Sequence, residues 1–347
     1  MRPRHWKRGV FVLGGVCFLS SSAFLVCKAF DTDRFSLRTV SCQGKDCKQI
    51  RPEVSVQLPV VLLTGVLGFN KIGKFEYFRN VPEMLRGKGI DVFLPFTPPT
   101  GTIRERAMVV RKAVEIARQK TGKQKVHLVA HSMGGLDSRY YISKLGGGKT
   151  VATLVTIATP HRGAIFADWA YENIGDSNSN RIEQFLGRVG VKLKVFRQLT
   201  VKSLELFNQE VEDDPAVKYF SFGAEKASAK DVSLVFQLPY SITSKFDGPN
   251  DGVCSVSTAR WGKYIRTLNA SHLEQIGWDV GPFAPPFFWR DKHFDTQDFF
   301  TKDILPLLVR SEIDGKHASR TNGNKTLRKE AARGSITLVN PPPWTKN

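Results

Sequence analysis

Residues 126–141, VHLVAHSMGGLDSRYY, constrain the fold of this chain more than any other stretch. The run Val126–Ala130 suits a buried strand. It breaks at Ala130-His131-Ser132-Met133-Gly134, and an amphipathic stretch follows Gly135. A serine at a strand-to-helix junction, flanked by residues with almost no side chain, marks a sharp turn. On such a turn the serine backbone is strained, and the residues two before and two after it lie against neighbouring main chain, which accounts for Ala130 and Gly134. The helix that follows would present its N-terminus to negative charge developing beside the serine.

The junction belongs to a longer rhythm. Apolar runs of strand length recur at Leu58–Leu63, Ile90–Leu94 and Thr153–Ala158, with a weaker one at Lys218–Phe222. Between the second and the serine-bearing run, Thr102 and Glu105 have the spacing of a capping box. Ile103, Ala107, Val110, Val114 and Ala117 follow at helical period, and Gly122 stands where a helix would stop. A second helix is predicted after Ser132, packing through Tyr140, Tyr141 and Leu145. Strands alternating with helices predict an α/β fold with a mostly parallel sheet covered on both faces. The rhythm fails between about 164 and 217, where amphipathic pieces predict a helical insertion. From 311 onward the chain is polar and basic and reads as a disordered tail.

The first residues have their own pattern. RPRHWKR precedes an uncharged run, Gly9–Cys27, of 19 residues. A basic segment followed by an apolar one predicts a signal peptide or signal anchor over 1–30. That reading places the domain of 31–310 on the exoplasmic side, secreted or membrane-anchored. Cys42 and Cys47 could close a small disulfide loop there, leaving Cys254 free or as an alternative partner. Asn269 and Asn324 begin glycosylation acceptor patterns. The net charge of +19 favours anionic partners. No zinc-finger spacing, RNP-like aromatic motif or localised basic block points to nucleic acid, so a membrane or lipid surface is the expected partner.

LVAHSMGG together with LPVVLLTGVLGF, TLVTIATPHRGA, LTVKSLELFN, PNDGV and SHLEQ, in that order over about residues 58–278, resembles the bacterial-type secreted triacylglycerol lipases of the α/β-hydrolase superfamily. The resemblance implies a Ser-Asp-His triad, with Ser132 as nucleophile. A serine needs a base to take its proton and an acid to orient that base, and in this fold the chain order is serine, acid, histidine. Among the seven histidines, that order leaves His272, His293 and His317. His317 falls in the expected tail. His272 occupies SHLEQ, where the family places its catalytic histidine, and is preferred to His293. Asp251 matches the family's acid-bearing turn and is preferred to Asp247. The expected oxyanion donors are the backbone N–H groups of Met133 and Val66, although Thr64 replaces the family's histidine in the second loop.

The family often binds a structural calcium near the histidine loop. Here Glu274 stands where an aspartate ligand would be expected, and no partner carboxylate is evident around 225–235, so no metal is expected. No cofactor is expected either. The insertion lies where such lipases carry a lid; Trp169, Phe185, Leu186, Val191, Leu193 and Phe196 are candidates for its inner face or for ordinary core. Phe283, Phe287, Phe288 and Trp289 form an aromatic loop that is a lipid-facing wall or a core plug. The expected activity is that of a serine ester hydrolase, a lipase or carboxylesterase, on lipid acyl esters. A lipid acyltransferase or phospholipase with the same triad is the alternative. A catalytically silent lipid-binding protein is a third reading, and it would predict a broken triad.

Overall fold

The computed structural model describes residues 18–19, 25–31, 36–43, 46–50, 56–66, 71–72, 75–174, 193–278 and 294–315. The chain forms two compact units, residues 1–55 and 56–347. In the first unit, strands Phe18–Leu19, Leu25–Asp31, Ser36–Gln43 and Asp46–Ile50 form an antiparallel meander in sequence order. Its register sets Cys42 opposite Cys47. The segment read as a leader therefore ends inside a strand that crosses residue 30. No helix among the described residues is long and apolar enough to cross a membrane.

The second unit holds a six-stranded sheet: β1 (Val60–Leu63), β2 (Val92–Phe93), β3 (Val126–His131), β4 (Val151–Ile157), β5 (Lys218–Glu225) and β6 (Lys263–Asn269). Their order is β6-β5-β4-β3-β1-β2, and every pairing is parallel. Residues 60–63 show why both faces must be covered. Val61 and Leu63 enter one apolar cluster with Leu128 and Leu136, whereas Val60 and Leu62 enter another with Val129, Phe222 and Phe300. Alternate side chains of a strand point to opposite faces, so a four-residue apolar run needs two cores. After β1 the chain runs to β2 at one edge and then crosses to β3 on the other side of β1. This reversal opens a crevice at the carboxyl ends of β1 and β3, where ligands bind in open α/β sheets.

Helices α1 (Val81–Gly87), α2 (Ile103–Thr121) and α3 (Gly134–Lys144) supply the crossovers. Helix α2 starts on the expected Thr102–Glu105 capping box and stops at Gly122, whose φ of 68° is a left-handed conformation natural to glycine. The break after β4 holds α4 (Ile165–Ile174), α5 (Leu193–Gln198) and α6 (Val201–Glu210), helical as the sequence implied. Helix α7 (Gln237–Asp247) follows β5 and meets α4 through Phe166, Ala170 and Ile242.

The last helical stretch, starting at Thr296, continues to residue 315 rather than giving way to tail at 311. Glu312 on it accepts hydrogen bonds from Gln57 N, Leu58 N and His127 Nε2, which ties the helix to the start of β1. The second compact unit begins at Val56. Strand β6 was not foreseen: KYIRTLN mixes charged, polar and apolar residues without a continuous apolar run and lies at the sheet edge, largely half-buried or exposed.

Candidate active site

Ser132 follows β3 directly, with φ at 55°. Only an over-determined turn holds a non-glycine residue there. Ser132 N–H donates to Ile157 O at 2.9 Å, and Thr159 Oγ1 donates to Ser132 O at 2.7 Å, so the end of β4 grips the turn from both sides. A β-carbon at Gly134 would lie 2.7 Å from Thr64 O and 3.0 Å from Leu63 O. That crowding is the physical reason for the glycine. Gly65, on the loop after β1, passes so close that its β-carbon would meet Ser132 Oγ at 3.0 Å and Ser132 Cβ at 2.6 Å. Met133, in the helical conformation, opens α3.

Asp251 and His272 meet across 21 positions of sequence. Nδ1 of His272 lies 2.8 Å from Asp251 Oδ2, and His272 N donates to Asp251 O at 2.9 Å. Asp251 is fully buried, yet both carboxylate oxygens are satisfied. Oδ1 accepts from Val253 N and Cys254 N; Oδ2 also accepts from Gln275 Nε2 at 2.7 Å. Fixing Nδ1 on the acid leaves Nε2 of His272 as the nitrogen able to serve a substrate or nucleophile. The His272 ring packs on His131, the neighbour of Ser132, with centroids 4.4 Å apart. Asp247 instead accepts from Ser255 and Ser257 at the start of a short helix. Cys254 is a buried free thiol behind the acid turn, within 3.3 Å of Thr258 Oγ1.

The loop carrying His272 is anchored by polar groups that no local pattern announced. Glu274 Oε2 accepts from Ser271 N at 2.6 Å and faces Lys226 Nζ at 3.3 Å. Both side chains of this ion pair are buried, so a cation of the protein occupies the acidic position. Arg79 N donates to Ile276 O, and Trp278 Nε1 to Glu76 O, which pins the loop to residues 76–79.

Buried Arg106 clamps the loop that follows β1. It donates to Thr64 O at 2.6 Å, Gly65 O at 3.0 Å and Pro98 O at 2.9 Å, and pairs with Asp137 Oδ2 at 2.7 Å. Burial pushes the Asp137 carboxyl up to about 7 against the pull of Arg106. Thr64, the residue departing from the family pattern, bonds Thr97 at 2.8 Å. Gly65 N–H donates to Tyr77 Oη at 2.8 Å, and Tyr77 Oη lies 2.8 Å from His131 Nδ1. Val66 follows half-buried against the apolar core.

Sequence reasoning missed Arg106, which sits within the apolar stripe of α2, as well as Tyr77 and Gln275. His293 and His317, the aromatic loop of 283–289, and Phe185, Leu186 and Val191 lie outside the described residues. Leu193 opens α5. Trp169 stacks on Phe166, and Phe196 meets the same ring edge-on at 6.0 Å, so both join a local aromatic cluster.

Residues 59–268 match the family model described as the alpha/beta hydrolase fold. The chain belongs to the α/β-hydrolase family. It is 32% identical over 253 residues to a triacylglycerol lipase of Vibrio cholerae, covering 64% of this chain and 80% of the relative. It is 33% identical over 218 residues to triacylglycerol lipase 2 of Saccharomyces cerevisiae, covering 60% of this chain. The chain spans about two-thirds of that yeast relative (65%). Among solved structures, the mature lipase BlEst2 of Bacillus licheniformis matches with a TM-score of 0.58 at 21% identity, over 73% of this chain and 92% of that one. The metagenomic carboxyl esterase MGS0156 matches with a TM-score of 0.60 at 18% identity, over 75% and 76%. The solved structures share its fold.

Proposed function

We propose that the protein is a carboxylic ester hydrolase that cleaves lipid acyl esters through an acyl-enzyme on Ser132. The observation that carries the reading is the buried His272–Asp251 pair at 2.8 Å, packed on the residue that precedes a serine with φ of 55°. The family membership and the triacylglycerol lipases among the relatives support ester chemistry.

In this mechanism Ser132 Oγ attacks the ester carbonyl carbon while His272 Nε2 takes its proton. Asp251 holds Nδ1–H and stabilises the imidazolium that results. The carbonyl oxygen becomes an oxyanion, received by Met133 N–H at the start of α3 and by Val66 N–H on the Arg106-clamped loop. Collapse expels the alcohol, which takes the proton from His272, and the acyl group stays on Ser132. Water then attacks with His272 again as base, releasing the acid and restoring the serine. Helices α4–α6 are assigned as a lid beside this crevice, and residues 1–30 as the segment that exports or anchors the chain.

The test is hydrolysis of emulsified triglyceride and of short soluble esters by the full chain, with fluorophosphonate labelling. Ser132→Ala is expected to lose the label and at least about four orders of magnitude in kcat/KM. Unchanged turnover in Ser132→Ala would overturn the reading. Serine-dependent turnover of soluble esters alone would make the protein an esterase. A labelled serine with no hydrolysis would favour acyl transfer to another acceptor.

A further inference from the structure

Strands β5 and β6 run side by side, and their pairing ends with Glu225 opposite Asn269. Beyond that point the two segments part. One passes through α7 and returns in the turn that carries Asp251; the other reaches His272 three residues on. The proposed acid and base therefore sit on loops that leave the sheet at one place. A group that spans the gap there sets how the two loops stand against each other.

Lys226 is the first residue past β5, and it reaches both loops. Its main-chain N–H donates to Asn250 O at 3.0 Å, the carbonyl next to Asp251. Its ammonium lies 3.3 Å from Glu274 Oε2, the same oxygen that accepts from Ser271 N at 2.6 Å. Ser271 immediately precedes His272. Two further bonds fix the pair in place. Tyr240 Oη on α7 donates to Lys226 O at 2.9 Å, and Thr296 Oγ1 donates to Glu274 O at 2.7 Å.

An exposed pair would be a weak anchor, because water and salt screen it and two long side chains lose freedom. This pair is buried: the Lys226 side chain is 7% exposed and that of Glu274 3%. Either charge left alone there would be stranded without water or partner. The acyl-transfer steps proposed for Ser132 use neither group, so chemistry at the ester does not account for them.

We propose that Lys226 is a positioning residue that fixes the register of Asp251 against His272. Its main chain holds the acid turn, and its ammonium holds the base loop through Glu274. What it keeps closed is the direct contact between the loops, His272 N–H to Asp251 O at 2.9 Å. The pairing of His272 Nδ1 with Asp251 Oδ2 follows from that register. The effect on turnover rests on the triad reading; the tie between the loops does not.

The test compares two variants of the full chain. Lys226→Met keeps the aliphatic stem but leaves Glu274 buried without its cation, so it is expected to melt lower. Lys226→Met/Glu274→Gln strands no charge and is expected to melt close to the unaltered chain. In this double variant kcat for a short soluble ester should still fall about 10-fold or more, with KM changed less, because misplacing a catalytic pair costs rate. Native-state hydrogen exchange gives a readout that needs no activity. The Ser271 and His272 amides should exchange about 10-fold faster or more in the double variant, while those of β3 keep their protection. An unchanged kcat, or unchanged protection at His272, overturns the proposal and leaves a purely structural ion pair. Faster exchange throughout the sheet overturns it as well, because the pair would then stabilise the whole fold rather than one register. If the unaltered chain turns over no ester, the ester-hydrolase reading falls, and the exchange alone decides the tie.

Discussion

At Arg106 one side chain does three jobs that its position in α2 conceals. The guanidinium is fully buried, neutralises Asp137 and donates to two successive carbonyls, those of Thr64 and Gly65, on the loop beside Ser132. A planar group with five donors suits this fork, and a lysine would not. Replacing it by methionine keeps much of the volume but strands Asp137 without its cation. Breaking a buried pair from one side costs about 3–5 kcal/mol, so Arg106→Met should lower stability by that order in urea unfolding. Where the variant still folds, kcat should fall more than KM rises, since the loop it steadies carries the proposed oxyanion donor. An unchanged kcat would remove Arg106 from the site and leave it a purely structural residue.

Among the elements, the helix over 305–315 does more than cap the sheet. Glu312 joins it to the first strand through Gln57 N, Leu58 N and His127, and its side chain is only 7% exposed. Burial opposes ionisation here, but His127 and the two main-chain donors outweigh it and hold the carboxyl below its ordinary value of 4.5. A depressed carboxylate contributes stability that is complete above its unfolded pKa and is lost as pH falls through the folded one. Unfolding free energy should therefore decline below about pH 4.5, and Glu312→Gln should flatten that part of the curve while lowering the plateau at neutral pH. Thermal melts from pH 3 to 7 read both effects. If the variant keeps the unaltered acid slope, the helix is held by its apolar face alone.

For the whole molecule, the sheet's reversal between β1 and β3 brings three distant segments to one crevice: the loop at 64–66, the turn at 132 and the loop at 271–275. Nothing in that arrangement explains a net charge of +19. Attraction to an anionic lipid surface is the physical use the charge suggests, and it is screened within about 8 Å at physiological salt. The full chain should bind phosphatidylserine-containing vesicles more tightly than neutral ones at low salt, and the difference should shrink as salt rises. Equal binding to both would confine the charge to solubility.

The sequence by itself determined whatever depends on near neighbours. The strand-turn-helix at Ser132, the capping box at Thr102 and the glycine stop at Gly122 were legible because their causes span only a few residues. Continuous apolar runs of strand length also gave four strands their type and foretold the fifth weakly, and the 3.6 period gave α2. For β6 the reading failed, because an edge strand is covered less and its charged and polar residues leave no apolar run. The choice of His272 and Asp251 came from a resemblance in motif order, and spacing alone left His293 and Asp247 open. The tertiary structure decided the polar interior. Arg106 looks like a surface cation on a helix, Tyr77 like core, and Lys226 and Gln275 like loop residues. Each is buried by a partner 12 to 48 positions away. A polar group is stable inside a protein only when a complementary group meets it there, and which groups meet is settled by how the sheet folds the chain back on itself.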